Sequence, residues 1–469
     1  MAESPLSLNA LEYTFRHLLK VAFPQMESEP FRMEKGEGIV TVFIKDIRII
    51  FKTMAQEDMD YFLIDRSNPQ LIANAKGTLK IPVFYFNFED DTEYGLRIED
   101  FGGNVYHTII CSETGDSIKI CYDLLTPSFL LLSRYEEFYS ERHDEHGRFP
   151  YGLSLAENNC MVEIPLVDEY AMLLRRWLCL FFPDRFQAVP RTPRVVPTHD
   201  IDILYRFQSR WQALKSIFGR DLLINRDLKM VWKSLREYRA WRQDDFNDPY
   251  LLAIQEFAMK EHAAGLESVF FFKALCEGED DATYDIRDAR LKQIFTHLYY
   301  EYIIGIHGSY SSAEKDGQLL MERKRIEKQL ADFGGPVTCS RQHYLRARFA
   351  GTPNSLDLWQ QAGITDDYTL GFAERCGFRC GTCHPYPLYD VRNDKVTDII
   401  EHPLIVMDGT LFDYMKLSVE ESKELVMKLK QRCFDVEGDF VLLWHNHATT
   451  REFEPYFNSV YLPLLTNNY

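Results

Sequence analysis

Seven short apolar segments recur in the second half of the chain, separated by helical stretches and mostly ending in polar residues. They read VVPTHDID, SVFFFKA, YIIGIHGS, CSRQHYL, GITDDYTL, PLIVMDGT and FVLLWHNH. Apolar runs of this length alternating with helices predict parallel strands with helical crossovers, closed as a barrel or left open. The fold class is therefore α/β. In parallel barrels the C-terminal strand ends form the face where chemistry occurs, so the His, Asp, Arg and Asn residues at those ends are the candidates. No internal repeat accompanies the pattern.

The first half carries strand-like runs (GIVTVFI, RIIFK, IPVFYFNF) and the helical run EYAMLLRRWLCLFF, which predict a smaller α/β or α+β unit. Between the halves, PDRFQAVPRTPRVVP holds four prolines and little periodicity, as a linker would. The expected units are residues 1–187, of unassigned role, and 188–469, the candidate catalytic unit.

The formal charge of −18 gives a surface that repels phosphate backbones, so nucleic acid is not expected as a partner. The N-terminal run MAESPLSLNALEYTFRHLLKVAF is interrupted by Glu12, Arg16, His17 and Lys20 and lacks the apolar core of an export signal. With no later apolar run long enough to span a bilayer, a cytoplasmic location and reduced cysteines are the expectation. Residues 206–243 are an exception to the acidic background, with ten Lys and Arg against three Asp and Glu and with Trp211, Trp232 and Trp241 interleaved. They predict a basic helical insertion, spanning about 206–260, either plainly solvated or able to touch an anionic membrane peripherally.

In the first segment Asp200 and Asp202 alternate after an apolar strand. Both would face the same side, and their mutual repulsion calls for a cation or for one of them to act as a base. His307, Arg341 with His343 and Tyr344, and His445 with His447 stand in the third, fourth and last segments. In that order these residues resemble the polysaccharide deacetylases of carbohydrate esterase family four, over roughly residues 194–450. The resemblance implies a deacetylase-type (β/α) barrel, seven-stranded and distorted. It also implies metal-dependent removal of acetyl groups from an N- or O-acetylated sugar or polysaccharide. Asp200 would be the general base and Asp202 a ligand of a divalent metal, zinc being the expected ion. His307 matches the first histidine of the family's second motif, and Ser311 stands where a second histidine ligand belongs. The implied metal is then weakly held, or another side chain such as His343 or His199 completes the site. Arg341 would brace the base, the Tyr344 backbone N–H would stabilise the oxyanion, and His445 would be the general acid. Asp366, Asp367 and Asp408 are candidates for the aspartate that tunes this acid, with Asp408 preferred. His343, in place of the family's proline, and Trp444 are expected on the substrate side. A subgroup of similar proteins has LHxSY in the second motif and an additional N-terminal domain. SRYEEF (133–138) and HGRFP (146–150) are similar to segments of that domain.

Ser311 keeps a second class open, a degenerate barrel that binds carbohydrate without hydrolysis. Cys376, Cys380 and Cys383 have the spacing of a radical-SAM iron–sulfur motif, though they lie near the end of the chain rather than after an early strand. CGTCH also spells a haem attachment motif, for which no export signal is visible. A small zinc site using these cysteines and His384, or simply buried thiols, accounts for the cluster better.

Overall fold

The structure, a computed structural model, describes residues 4–64, 70–73, 76, 80–83, 95–99, 105–111, 115–224, 228–275, 281 and 284–465. Its N-terminal sheet contains β1 (Phe31–Gly36), β2 (Ile39–Ile44), β3 (Ile47–Lys52), β6 (Gly95–Glu99), β7 (Val105–Cys111) and β8 (Ser117–Ile120). They are ordered β1-β2-β3-β8-β7-β6, and β4 (Gln70–Ala73) with β5 (Lys80–Val83) forms a separate hairpin. Strict alternation in β2 buries Val40, Val42 and Ile44. The helices Leu8–Ala22, capped by the Ser7 hydroxyl, and Leu166–Phe181 pack against each other beside this sheet.

The C-terminal sheet contains β9 (Arg194–Ile201), β10 (Val269–Phe272), β11 (Ile303–Gly308), β12 (Cys339–Gln342), β13 (Asp366–Asp367), β14 (Tyr386–Asp390), β15 (Lys395–Glu401), β16 (Val406–Met407) and β17 (Asp439–Leu443). The order is β14-β15-β13-β12-β11-β10-β9-β17-β16, with only β14 antiparallel to its neighbour. The seven expected strands therefore become nine, because the chain after CGTCH folds into the β14–β15 hairpin at one edge. Among the described residues no ladder joins the two edge strands, so the sheet is open.

The sheet is also curled. Arg341 in β12 lies three strands from Asp200 in β9, which in a flat sheet is about 14 Å, yet its guanidinium reaches the carboxylate at 3.0 Å. Val269, Phe271, Cys339, Val441 and Leu443 form an apolar cluster on the concave side, closed by Tyr368 and Leu404. Gly305 makes this closure possible, since a Cβ there would stand 2.5 Å from the Phe271 ring. The convex side joins the main core and is covered by helices such as Pro249–Ala263.

Two sequence expectations concern other segments. The basic insertion folds into the helices Arg210–Lys215 and Leu228–Gln243, joined by a π-helical stretch, Ser216–Ile224. Trp211 and Trp232 are 77% and 74% exposed. Several of its cations are matched internally, Arg206 by Glu237 and Asp221, and Lys233 by Glu454, while Arg226 lies outside the described residues. No helix among the described residues is long and apolar enough to cross a membrane.

Candidate active site

The alternation of each strand decides which side chains enter the concavity. Asp200 and Asp202 follow the inward side of β9, Lys273 that of β10, His307 that of β11, Arg341 and His343 that of β12, and His445 that of β17. Their tips converge at the C-terminal strand ends, around a cavity of about 320 Å³.

Asp200 is buried and receives Arg341 Nη1 at 3.0 Å. Arg341 is itself fixed, donating from Nε to the Tyr368 carbonyl at 2.9 Å with its guanidinium 4.8 Å from the Phe271 ring centre. Asp202 Oδ1 faces His307 Nε2 at 3.2 Å, Lys273 Nζ at 3.5 Å and His343 Nε2 at 3.6 Å. Burial pushes the Asp202 carboxyl up, but His343, His307 and Lys273 together outweigh it and hold the group well below the usual range.

Three donors of the cavity, from Asp202, His307 and His343, lie within 4.8 Å of one another. His307 Nδ1 is 3.0 Å from the Arg341 carbonyl, so in the neutral ring the proton sits on Nδ1 and Nε2 presents a lone pair toward Asp202. That nitrogen and Asp202 Oδ1 are buried atoms without a hydrogen-bond partner. An oxygen and an imidazole nitrogen left unmet side by side fit a divalent cation. For His343 the fit depends on its tautomer. Lys273 Nζ lies 2.7 Å from Nδ1 and 3.3 Å from Asp281 Oδ1, which in turn is 3.6 Å from Nδ1. While the ammonium donates to Nδ1, the Nε2 position holds a proton. When Nδ1–H turns to Asp281, Nε2 is free to act as the third donor.

His445 presents the other arm. Its Nδ1 is 2.7 Å from Asp408 Oδ1, its backbone N–H donates to Asp408 Oδ2 at 2.8 Å, and its Nε2 stands 3.5 Å from Asp202 Oδ2. Burial alone would lower its pKa, but Asp408, Asp202 and Asp200 raise it to about 9. Neighbouring His447, which also lines the cavity, is pushed down to about 4 by burial and by His445. One histidine is thus a proton donor near neutrality and the other is not.

Tyr344 and Leu345, at φ of 58° and 56°, turn the chain sharply at the cavity wall. Two successive left-handed non-glycine residues are costly and are held by their surroundings. Here Arg148 Nη1 donates to the Tyr344 carbonyl at 3.2 Å and His146 stacks on the Tyr344 ring. Both belong to the HGRFP segment of the N-terminal half, so that half supplies a wall of the cavity, Arg148 included.

Other expected residues stand elsewhere. Ser311 lies in the turn Tyr310–Ala313, exposed, with Oγ 3.3 Å from Ser309 Oγ, and does not line the cavity. Trp444 is fully buried, donates to the Ala448 carbonyl and packs on Tyr461. His199 points to the convex side, between the Trp444 carbonyl and Glu261. Asp366 pairs with His402, and Asp367 with Ser340 and Thr369. Cys376, Cys380 and Cys383 are all buried, and among the described residues they do not gather as a three-sulfur group. Lys273 was legible as a strand-end residue of SVFFFKA with the parity of Asp200 and His307, while Arg148 could be placed only by the tertiary fold.

Residues 2–183 match a family profile described as a family of unknown function, DUF7033. No curated protein matches the chain. Among solved structures, the crystal structure of a "putative polysaccharide deacetylase from Mycobacterium smegmatis" is similar at a TM-score of 0.36 and 12% identity, over 60% of this chain and 87% of that one.

Proposed function

We propose that the concave site hydrolyses acetyl groups on an N- or O-acetylated sugar or polysaccharide, in a deacetylase-type curled barrel, with a divalent ion, zinc first, held by Asp202, His307 and His343. The observation that carries this reading is the unmet pair Asp202 Oδ1 and His307 Nε2, set between an arginine-braced aspartate and an aspartate-braced histidine. When bound, the ion supplies Lewis-acid polarisation. Asp200, oriented by Arg341, takes the proton from the attacking water. The backbone N–H of Tyr344, a residue of the cavity wall, stabilises the developing oxyanion. His445, protonated near neutrality and oriented by Asp408, delivers a proton to the leaving amine or alcohol. The products are acetate and the free sugar amine or hydroxyl.

Lys273 supports a second reading, binding without hydrolysis, because its ammonium can take the place of the ion beside Asp202, Asp281 and His343. Metal analysis of the purified full-length protein, combined with acetate release from a panel of acetylated glycans, separates the two. Bound zinc and released acetate support the hydrolase. Glycan binding with neither supports the lectin-like site.

The exposed Trp211 and Trp232 on the basic insertion are proposed to rest on an anionic membrane surface. Retention on vesicles containing anionic lipid at low salt, lost at high salt, is the expected outcome. No retention at low salt removes the idea.

A further inference from the structure

A second set of donors lies where the N-terminal helices meet the loop before β14. Asp168 comes from the helix Leu166–Phe181, His17 from the helix Leu8–Ala22, and Cys383 and His384 from the loop. Exposures are 0%, 3%, 0% and 4%, so the set is sealed from solvent. Donor atoms of Asp168, Cys383 and His384 fall within 4.8 Å of one another.

The detail of each contact suits a metal. Asp168 Oδ2 stands 3.3 Å from Cys383 Sγ, and the edges of a tetrahedral zinc site with bonds near 2.0–2.3 Å are about 3.3–3.7 Å. His384 Nε2 is 2.9 Å from the Val436 carbonyl, which fixes the proton there and leaves Nδ1 as the lone-pair nitrogen. A ligating histidine is commonly oriented by such a carbonyl. Asp168 is further held by the Thr382 hydroxyl at 2.5 Å and the Cys383 backbone N–H at 2.8 Å.

Those hydrogen bonds satisfy Asp168, but they leave His17 unexplained. Neither ring nitrogen of His17 has a hydrogen-bond partner, although the residue is buried and Nε2 is 4.0 Å from Asp168 Oδ1. An unmet buried polar atom is destabilising, and service as a fourth ligand to an ion would remove that cost. Gly438 lets Cys383 and His384 take these positions, since a Cβ there would stand 2.1 Å from Cys383 Sγ.

We propose that Asp168, Cys383, His384 and His17 form a closed structural zinc site that fastens the two N-terminal helices to the C-terminal half. Zinc binding displaces the Cys383 thiol proton to solvent and makes a Zn–S bond, with no change of oxidation state. The proposal is independent of hydrolysis at the concave site.

Cobalt substitution of the full-length protein tests it. The concave group contains no sulfur, so thiolate-to-cobalt charge-transfer absorption reports only on a cysteine site. The expected result is that band in the wild type and in Asp202→Asn, with its loss and the loss of one zinc equivalent in Cys383→Ser. His17→Phe should keep the fold and bind zinc about 10–100-fold more weakly. If Cys383→Ser does not fold, the wild-type and Asp202→Asn spectra decide. Absence of the band from folded, cobalt-loaded wild type, or its persistence in folded Cys383→Ser, overturns the site.

Discussion

The two donor groups differ in what surrounds them. The concave group, Asp202, His307 and His343, opens on a cavity and stands beside groups able to move protons. The seam group, Asp168, Cys383, His384 and His17, contains sulfur, is sealed, and lies on a seam that ion pairs such as Arg379–Glu137 and Arg175–Glu437 also cross. Catalytic metal sites keep an open position, whereas structural ones close their coordination with protein donors. On the proposals above, the contrast would give chemistry to one group and cohesion to the other. A substitution that affected both properties equally would break it.

The largest separation is expected from Asp200→Asn. The amide preserves the shape of the side chain but removes the base, so acetate release should fall about a hundred- to ten-thousand-fold. Zinc content should stay close to wild type, since Asp200 lies outside both donor groups, while the melting temperature should fall because buried Arg341 loses its charge partner. Unchanged turnover in a folded, metal-loaded variant would exclude Asp200 as the base.

The seam is expected to show the reverse pattern, and Glu137 tests it without touching either donor group. Glu137 is buried and accepts from Arg134 Nε at 2.8 Å and, across the seam, from Arg379 Nη2 at 2.8 Å. Glu137→Gln takes the charge partner from buried Arg379 and leaves Arg134 paired with Glu136, and should cost about 3–5 kcal/mol in denaturant unfolding, with little loss of turnover. Burial raises the Glu137 carboxyl, but Arg379 and Arg134 outweigh it and hold its pKa below the ordinary 4.5. A folded pKa below the unfolded one gives stabilisation that is complete above about 4.5 and is lost as pH falls through the folded value. The gap between wild type and Glu137→Gln should accordingly narrow on acidification below that point. A gap independent of pH would mean that the carboxylate charge contributes nothing.

Much of the concave site was legible because parallel strands deliver their chemistry at their C-terminal ends. Asp200, Asp202, His307 and His445 follow apolar runs, and Asp408, the aspartate preferred from the sequence, stands 2.7 Å from His445. His343 was visible as a candidate, but its neighbours were not, because Lys273 and Asp281 reach it from another strand and the loop after it. Trp444 illustrates the limit of adjacency, since the residue before an inward His445 points outward into the core. Cys383 and His384 stood out in the sequence, but Asp168 and His17 are brought to them only by packing of distant helices. The β14–β15 hairpin is not legible in the sequence because Pro387 interrupts one strand and Lys395, Asp398 and Glu401 the other, so neither forms an apolar run.

Lys273→Met sharpens the contrast within the concave group itself. The ammonium and a divalent ion compete for Asp202 and for the tautomer of His343, so removing the ammonium should strengthen zinc binding about tenfold by titration calorimetry. This gain corresponds to about 1.4 kcal/mol, within the range of one ordinary hydrogen bond. Weaker binding would instead make Lys273 a support that holds His343 in place for the ion.

The smallest effect is expected from Ser311→His, the change that would restore the histidine spacing of the family the sequence resembles. Ser311 is exposed in the turn Tyr310–Ala313, and that turn is anchored by Ser309, whose N–H and hydroxyl both donate to buried Glu322 at 2.9 and 2.5 Å. An imidazole at 311 would start from an exposed position that does not line the cavity, and His343 already stands beside Asp202 and His307. Zinc affinity should change by no more than about twofold, as for an ordinary surface substitution. His343→Ala, by contrast, should weaken zinc by about a hundredfold or more, since even a residue behind a ligand is worth 10–100-fold. A tenfold gain from Ser311→His with no loss from His343→Ala would reverse the assignment. It would mean that the turn can swing residue 311 to the ion while His343 keeps its Nε2 proton against Asp202 under the hold of Lys273.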